Sequence, residues 1–260
     1  MGRSVKAIGV IALIISSIPT AIVLFLSFSG DASLKFPPSS FSLEPYGEVL
    51  GPGVYRDALF RSLQVSLIAT AIAVAVGIPA TLALYKHRIK FQSVITGYLA
   101  LGFATPLVVS GFAFLLLVYR IGQFGEIWPT AVALAVVNFP FLLFTLSSAV
   151  MSVDKSYEEA AATLGADRTQ TFLFVTFPLI IAGVVAGALL VFVLSLTEFI
   201  VSLILATTEN ATLPVVIFGG LRGSLAPHLA AAAGIYVIIA LIVVFAISRI
   251  RSLERFLFPG

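Results

Sequence analysis

Long apolar runs separated by short polar segments make up most of the chain of 260 residues. A transmembrane helix needs about 20 mainly apolar residues, and six runs reach that length. The pattern predicts an all-α polytopic membrane protein with six transmembrane helices. The predicted spans are residues 7–28, 58–85, 93–119, 130–152, 177–205 and 229–248.

The composition supports this class and excludes several others. The chain is 60% hydrophobic and 10% charged, and a soluble core could not hide that much apolar surface. It has no cysteine, so disulfides, thiolate nucleophiles and cysteine-ligated metals are excluded. Its net charge of +3 comes from basic residues at the ends of apolar runs, without the clustering typical of nucleic-acid binding.

The first apolar run could be a signal peptide, since Arg3 and Lys6 precede it. Its apolar core is longer than that of a signal peptide, and residues 27–30 make a poor cleavage site, so we expect an uncleaved span. The predicted organisation has three parts. These are a first transmembrane helix with an extracytoplasmic loop (1–57), a core of five helices (58–248) with a polar segment at 156–176, and a cytoplasmic tail (249–260).

Basic residues near the ends of the spans predict the orientation, because cytoplasmic loops carry an excess of Lys and Arg. A cytoplasmic N-terminus leaves ten basic residues inside and five outside, so both termini are expected in the cytoplasm. The basic turn 86–90 is expected to anchor the chain near anionic lipid. The inner residues are Arg3, Lys6, Lys86, Arg88, Lys90, Lys155, Arg168, Arg249, Arg251 and Arg255, and the outer ones are Lys35, Arg56, Arg61, Arg120 and Arg222.

The longest polar segment in the second half of the chain follows the fourth span. Ser156 and Glu159 have the spacing of a capping box, which starts a helix. Gly165 can adopt the left-handed conformation that ends one. Asp167 and Gln170 repeat the box spacing and start a second helix. The segment therefore predicts a helix, a tight turn and another helix on the cytoplasmic side.

A sequence motif runs through this segment: Glu159-Ala160-Ala161, three residues, Gly165, nine residues, and Val175-x-Phe177-Pro178. The second helix should stop or kink at Pro178. The motif resembles the EAA signature of binding-protein-dependent ABC importer permeases, the type I importers with a MetI-like fold. In that family it forms the coupling helix, which rests in a cleft of the ATP-hydrolysing subunit. The alternative is an ordinary amphipathic loop. The resemblance implies that the coupling residues are Glu158, Glu159, Ala160, Ala161, Gly165, Asp167 and Pro178.

Glu198 is an isolated acidic residue in the fifth span. At 1.5 Å per residue it lies about 28–30 Å beyond Pro178, near the outer end of the hydrocarbon. An ionised carboxylate costs about 2.5–3.5 kcal/mol at the bilayer centre and less near the interface, so it should face protein or water. We expect it to line the translocation pathway or its outer gate; pairing with Arg222 or a neighbouring subunit is the alternative. The other candidate pathway residues are Thr197, Ser195 and Ser202.

Glycine and proline positions bear on how the spans pack. Gly183 and Gly187, four residues apart, allow a neighbouring helix to approach closely, and the stripe is expected to continue through Leu194, Glu198 and Ser202. Prolines also interrupt three of the spans. We expect them to set packing geometry rather than to act as hinges; they are Pro79, Pro106 and Pro140.

Residues 194–202 and 212–217 resemble the fifth span and outer loop of spermidine/putrescine-type permeases. Members of that group often have an acidic residue where this chain has Thr197, which leaves a polyamine solute open. Iron(III), thiamine, phosphonate and opine-type permeases share a similar Ser-x-x-Glu-Phe sequence. The resemblance implies the permease subunit of an ATP-driven importer for a small solute, with polyamines first among the candidates and amino-acid-like solutes among the alternatives.

The resemblance also implies partners. They are a second permease, expected to be a different chain, two ATP-binding subunits that hold ATP and Mg²⁺, an extracytoplasmic solute-binding protein and membrane lipid. The location implied is a bacterial or archaeal cytoplasmic membrane. This chain has no Gly-x-x-x-x-Gly-Lys-Ser/Thr sequence, so no nucleotide site, cofactor or catalytic residue of its own is expected.

Two other functional classes were considered. A secondary transporter would show internal repeats and charged residues at mid-membrane, and a membrane enzyme would show converging acid, base or metal-binding residues. The two histidines, His87 and His228, are expected at opposite membrane faces and so cannot share a site. Residues 210–212 form a glycosylation sequon that we attribute to chance.

Overall fold

The structure is a computed structural model that describes residues 3–86, 89–223 and 225–248. Most of its described residues are helical, and the β structure among them is an isolated bridge between Ser29 and Phe41. Several predictions lie outside these residues: His87, Arg88, Arg249, Arg251, Arg255 and the tail 249–260. The helices are α1 Arg3–Leu26, α2 Glu44–Leu50, α3 Val54–Lys86, α4 Gln92–Ala104, α5 Leu107–Arg120, α6 Ile127–Met151, α7 Lys155–Thr163, α8 Arg168–Thr171, a π turn Phe172–Thr176, α9 Phe177–Thr197, α10 Ile200–Leu205, α11 Leu213–Leu221 and α12 Pro227–Ser248.

Five described helices are long and apolar enough to cross a membrane, and they correspond to five of the six predicted spans. The remaining prediction, a continuous span over 93–119, is wrong, because the chain breaks between α4 and α5 at Thr105 and Pro106. Thr105 is extended (ψ 122°), as expected of a residue before proline, and Pro106 supplies no N–H to continue the helix. The five are Ile8–Leu26, Val54–Lys86, Ile127–Met151, Arg168–Thr197 and Pro227–Ala246.

The predicted fifth span, 177–205, is also interrupted. Helix α9 ends at Thr197, Glu198 is extended (ψ 130°), and α10 starts at Ile200. A single stripe from Gly183 to Ser202 along one helix is therefore wrong. Pro79 and Pro140, by contrast, lie inside the continuous helices α3 and α6.

The chain divides into two compact units. The first comprises Met1–Arg61 and Ala211–Ile242, and the second comprises Ser62–Asn210 and Val243–Gly260. In the first unit the segment 29–53 contains the short helix α2, and the segment 211–226 contains α11. The backbone amide of Leu34 donates to the carbonyl of Leu225 at 2.8 Å, so the two segments are joined by a hydrogen bond.

Helix α6 forms the centre of the second unit, with Leu134, Leu142, Leu143 and Leu146 fully buried. Helix α9 packs along it through small residues. A Cβ placed on Gly183 would lie 2.3 Å from the Cβ of Ala149, and one on Gly187 would lie 2.7 Å from Leu142 Cδ1. The predicted close approach at these two glycines is confirmed.

Helix α1 carries an apolar surface that its own unit leaves uncovered. Ile8, Leu13 and Ile15 are each more than 60% exposed. Such side chains need lipid or another protein around them, because a continuous apolar face of this size is unfavourable in water. This exposure agrees with the membrane class predicted from composition.

Candidate functional site

Helix α7 carries the Glu-Ala-Ala part of the EAA-like motif and is capped by Asp154. The Asp154 carboxylate accepts a hydrogen bond of 2.9 Å from the backbone N–H of Ser156. This bond lowers the pKa of the Asp154 carboxyl. The predicted capping box of Ser156 and Glu159 is wrong. A charged carboxylate two residues earlier already accepts from one of the free amides in the first turn, that of Ser156, and suits the positive end of the helix dipole.

The turn after α7 has the geometry that the sequence predicts. Gly165 has φ +87°, a left-handed conformation that favours glycine. The amide of Ala166 donates to the carbonyl of Ala161 and the amide of Gly165 to that of Ala162, each at 3.0 Å. These two bonds form a Schellman motif, which satisfies the last carbonyls of the helix.

The second helix of the segment starts at a reciprocal capping box. The amide of Gln170 donates to Asp167 Oδ1 at 2.8 Å, and the amide of Asp167 donates to Gln170 Oε1 at 2.9 Å. This prediction is confirmed. Of the two outcomes expected at Pro178, a stop or a kink, the stop is wrong, because the helical path continues through the π turn into α9, where Pro178 lies in the first turn. A π turn changes the local hydrogen-bond pattern, so a proline without an N–H is accommodated.

Three polar side chains from separate parts of the second unit meet beside α7. Lys86, the last residue of α3, forms an ion pair with Glu158 of α7 and also donates to Thr176 Oγ1 at 3.2 Å. The Thr176 hydroxyl donates to the same carboxylate oxygen, Glu158 Oε1. We call Lys86, Glu158 and Thr176 the polar cluster. The sequence analysis assigned Lys86 to a lipid anchor and missed the cluster.

The rest of α7 is open to solvent. None of its residues is buried, and Leu164 after its last turn is 88% exposed. Tyr157 and Phe174 are also more than half exposed. Large apolar side chains on a polar segment commonly mark a surface for a partner. The motif residues Glu159, Ala160 and Gly165 belong to this open surface.

Glu198 lies at the break between α9 and α10 and is 9% exposed. Its carboxylate accepts hydrogen bonds from the amides of Val201 at 2.8 Å and Ser202 at 3.0 Å, and from the Ser202 hydroxyl at 3.2 Å. The carboxylate therefore caps the start of α10. Arg222, its alternative partner from sequence, places its guanidinium over the Phe218 ring at 4.7 Å.

Of the other predicted pathway residues, Ser202 is hydrogen-bonded to Glu198. Ser195 instead accepts a buried hydrogen bond of 2.9 Å from Asn138 Nδ2 of α6. Thr197 is exposed, and its hydroxyl donates to the Val193 carbonyl of its own helix. Asn138 was not among the residues predicted for the site. An amide side chain in the middle of an apolar run could have indicated it.

Two further polar groups have structural partners. Asn210, the sequon residue, is buried, and its Nδ2 donates to the carbonyls of Glu126 and Leu205. In the first unit His228 contacts Tyr55 through Nε2 at 3.1 Å and Glu48 through Nδ1 at 3.0 Å. No group of three His, Asp or Glu residues suited to a metal ion occurs within residues 3–86, 89–223 and 225–248.

The apolar helices, the exposed helix–turn–helix segment and the broken membrane segments define a polytopic helical permease. The family described as "Binding-protein-dependent transport system inner membrane component" matches residues 73–252. The chain belongs to this family and is a permease component of the ABC importer class.

Named relatives and solved structures agree with that class. The chain is 29% identical to the spermidine/putrescine transport system permease protein PotB of Salmonella typhimurium over 74% of this chain and 73% of the relative. It is 27% identical to PotC of Haemophilus influenzae, described in the same words, over 87% and 88%. A bacterial ABC transporter involved in the import of the acidic polysaccharide alginate shares the fold, with a TM-score of 0.67, 20% identity and coverage of 96% and 98%.

Proposed function

We propose that the chain forms half of the translocation pathway of an ATP-driven importer and couples that pathway to ATP hydrolysis in a partner. The observation that carries the proposal is the exposed α7 segment, where the Glu-Ala-Ala part of the EAA-like motif is followed by a Schellman turn at Gly165. The surface of Glu159, Ala160, Ala161, Gly165 and nearby Leu164 would dock on the ATP-binding subunit. Glu158, Asp167 and Pro178 would fix the conformation of the segment and lie outside this docking surface.

The proposed complex contains four further kinds of contact. A second permease, which we take to be a different chain, would complete the pathway. Two ATP-binding subunits would hold ATP and Mg²⁺, and an extracytoplasmic binding protein would deliver the solute to the segments 29–57 and 206–227. Lipid would surround the apolar faces such as that of α1. Both termini and α7 would lie on the cytoplasmic side, as the distribution of basic residues predicts.

The proposed mechanism is alternating access. Nucleotide-driven closure of the ATP-binding subunits would displace α7, and rigid helices attached to it would switch the pathway between inward-open and outward-open states. Such transmission needs an element with two discrete positions rather than a gradual distortion. Helices α7 to α9, which follow one another closely in sequence, would act as that element.

For the solute we propose a small polyamine-like molecule. PotB and PotC, whose names specify spermidine and putrescine, support this choice. Iron(III), phosphonate, thiamine and opine or amino-acid-like solutes are the alternatives within the same importer class. Uptake of radiolabelled spermidine, inhibited by an excess of putrescine but not of thiamine, is the expected result in cells that express the full complex.

The coupling role is tested at Gly165. A Cβ at this position meets no atom within 4 Å, so a substitution there causes no clash inside the chain. We expect Gly165→Asp to abolish uptake and substrate-stimulated ATP hydrolysis while the protein still inserts in the membrane. Gly165→Asn is the matched control, since it has the same shape and strain without the charge and should retain more activity. Normal uptake by the Asp variant would contradict the proposal.

The pathway role is tested at Glu198, which we propose lines the pathway or its outer gate with Ser195, Thr197 and Ser202. A broken helix at membrane depth is tolerated where it is covered by protein or lines a water-filled cavity. Glu198→Gln keeps an acceptor oxygen for one of the two amides of α10 but removes the charge. A changed apparent affinity or rate of uptake is expected; if both stay unchanged, Glu198 has only a structural role.

Copurification separates the importer from the second alternative, a secondary transporter. An affinity-tagged chain should bring with it a subunit that hydrolyses ATP, and uptake should stop when hydrolysis is blocked by vanadate. Uptake that continues without ATP hydrolysis would favour the secondary transporter.

A further inference from the structure

The polar cluster suggests how α7 is held in place. Because α7 has no buried residue, apolar packing does not fix its position. Its described ion pair instead joins it to Lys86 of α3. The Lys86 and Glu158 side chains are 25% and 19% exposed, so both are largely withdrawn from water. An ion pair in such surroundings is screened less than one on an open surface.

Thr176 completes a connection among three separate elements. It is 2% exposed and is the last residue of the π turn, immediately before α9. Its hydroxyl donates to Glu158, and Lys86 donates to its oxygen at 3.2 Å. One carboxylate oxygen of α7 thus receives donors from the end of α3 and from the start of α9. Residues 72, 90 and 18 positions apart in sequence are brought together here.

The geometry of these bonds constrains how α7 can move. The two donors come from different elements and converge on one carboxylate oxygen, so they hold this point of α7 against both α3 and the residue before α9, which a bond to one helix would not do. A displacement of α7 is then passed to α3 and α9 together. Charged hydrogen bonds with good geometry suit this task, because they are stronger and more directional than neutral ones.

We propose that Lys86, Glu158 and Thr176 are positioning residues that fix the coupling helix to two membrane helices, so that the three elements move as one body when the ATP-binding partner changes state. The inference rests on the proposed function and deepens it. It assigns a role to Lys86, which lies outside the EAA-like motif. It also separates Glu158, which faces the bundle, from its neighbour Glu159, which faces the proposed partner.

The test uses the distance between α7 and α9 in the assembled complex. The chain has no cysteine, so spin labels can be attached at Lys155→Cys on α7 and Leu179→Cys on α9 without removing native thiols. Both positions are exposed. Pulsed electron resonance then gives the distribution of label distances, with and without Mg-ATP and vanadate. We expect a narrow distribution that shifts by less than about 2 Å, because the two helices are joined by charged hydrogen bonds.

Variants of the cluster should loosen this connection. Glu158→Gln and Lys86→Met are expected to broaden the distribution about twofold and to make it shift when nucleotide is added, since the segment then opens locally. The double exchange Lys86→Glu with Glu158→Lys restores the ion pair and should narrow the distribution again. Lys90→Gln, which removes an exposed positive charge four residues after Lys86, is the matched control and should behave like the unmodified protein.

The outcomes distinguish this inference from the proposed function. A broad distribution in the unmodified chain, or an unchanged one in Glu158→Gln, would overturn the inference. The inference would also be overturned if Glu158→Gln broadened the distribution of label distances but left its response to nucleotide the same as in the unmodified complex. If no ATP-binding subunit copurifies, the proposed function fails. The label distances measured in the chain alone then decide whether the polar cluster holds α7. A broad distribution in the unmodified chain would still refute the inference.

Discussion

Replacing Gly183 with alanine should destabilise the second unit, because α9 touches α6 at this residue. The added Cβ would lie 2.3 Å from the Cβ of Ala149, whereas ordinary contacts begin at 3.4 Å. The two helices would have to separate locally by about 1.1 Å, since neither Cβ can rotate away. Overpacking of this kind costs about 1–3 kcal/mol, and the better helix propensity of alanine offsets about 1 kcal/mol of it. We expect a net loss of up to about 2 kcal/mol.

Two matched variants make the test specific. Gly97→Ala in α4 adds the same methyl group where no atom lies within 4 Å, so it should be neutral or stabilising by up to about 1 kcal/mol. The exchange Gly183→Ala with Ala149→Gly keeps the composition and leaves one methyl group in the contact, so it should recover most of the lost stability. Unfolding of the detergent-solubilised protein, followed by circular dichroism or steric trapping, measures each free energy.

The difference in stability between Gly183→Ala and Gly97→Ala decides the result, because both gain helix propensity and only Gly183→Ala is overpacked. If the two variants are equally stable, the helices do not approach as closely as the structure shows. If the exchange with Ala149 fails to restore stability, the loss has another origin. Either result would refute the reasoning that small residues allow α6 and α9 to pack closely.

Two further predictions follow from the polar contacts. The pKa of the Asp154 carboxyl is lowered below its usual 3.8, so the cap stabilises α7 fully above pH 3.8 and is lost as the pH falls through the lower folded value; amide exchange of residues 155–163 should show this loss, whereas Asp154→Asn, which caps without titrating, should not. The buried bond from Asn138 to Ser195 should give a coupling free energy of about 0.6 kcal/mol in a double-mutant cycle with Asn138→Leu and Ser195→Ala. A coupling indistinguishable from zero would mean that this bond does not stabilise the contact between α6 and α9.

The sequence predicted well those features that depend on a few neighbouring residues. Five spans, the left-handed turn at Gly165 and the capping box of Asp167 with Gln170 are confirmed, because apolar length, glycine conformation and cap spacing are local properties. The start of α7 was placed two residues late, since Asp154 and Ser156 are both good caps and only the folded backbone selects between them.

Features that depend on distant contacts were missed. Pro79, Pro106 and Pro140 look alike in sequence, yet only Pro106 separates two helices. The difference depends on whether neighbouring groups satisfy the freed carbonyls, which the local sequence does not encode. The polar cluster joins Lys86 to a residue 72 positions away. A single sequence gives no means of pairing such residues. The helix break at Glu198 was not predicted, because a carboxylate in an apolar run was interpreted as a pathway residue rather than as a helix cap.

The regular helix that follows the π turn of residues 172–176 determines which way its glycines face. Each residue of an α-helix rotates the next side chain by about 100°, so removing one residue between Phe177 and Gly183 would rotate the rest of α9 relative to the π turn. Gly183 and Gly187 would then point away from Ala149 and Leu142, although the remaining side chains of α9 would be unchanged. The spacing between Thr176 and Gly183 is therefore as important for this permease as the residues themselves, and insertions or deletions there should be tolerated far less than substitutions.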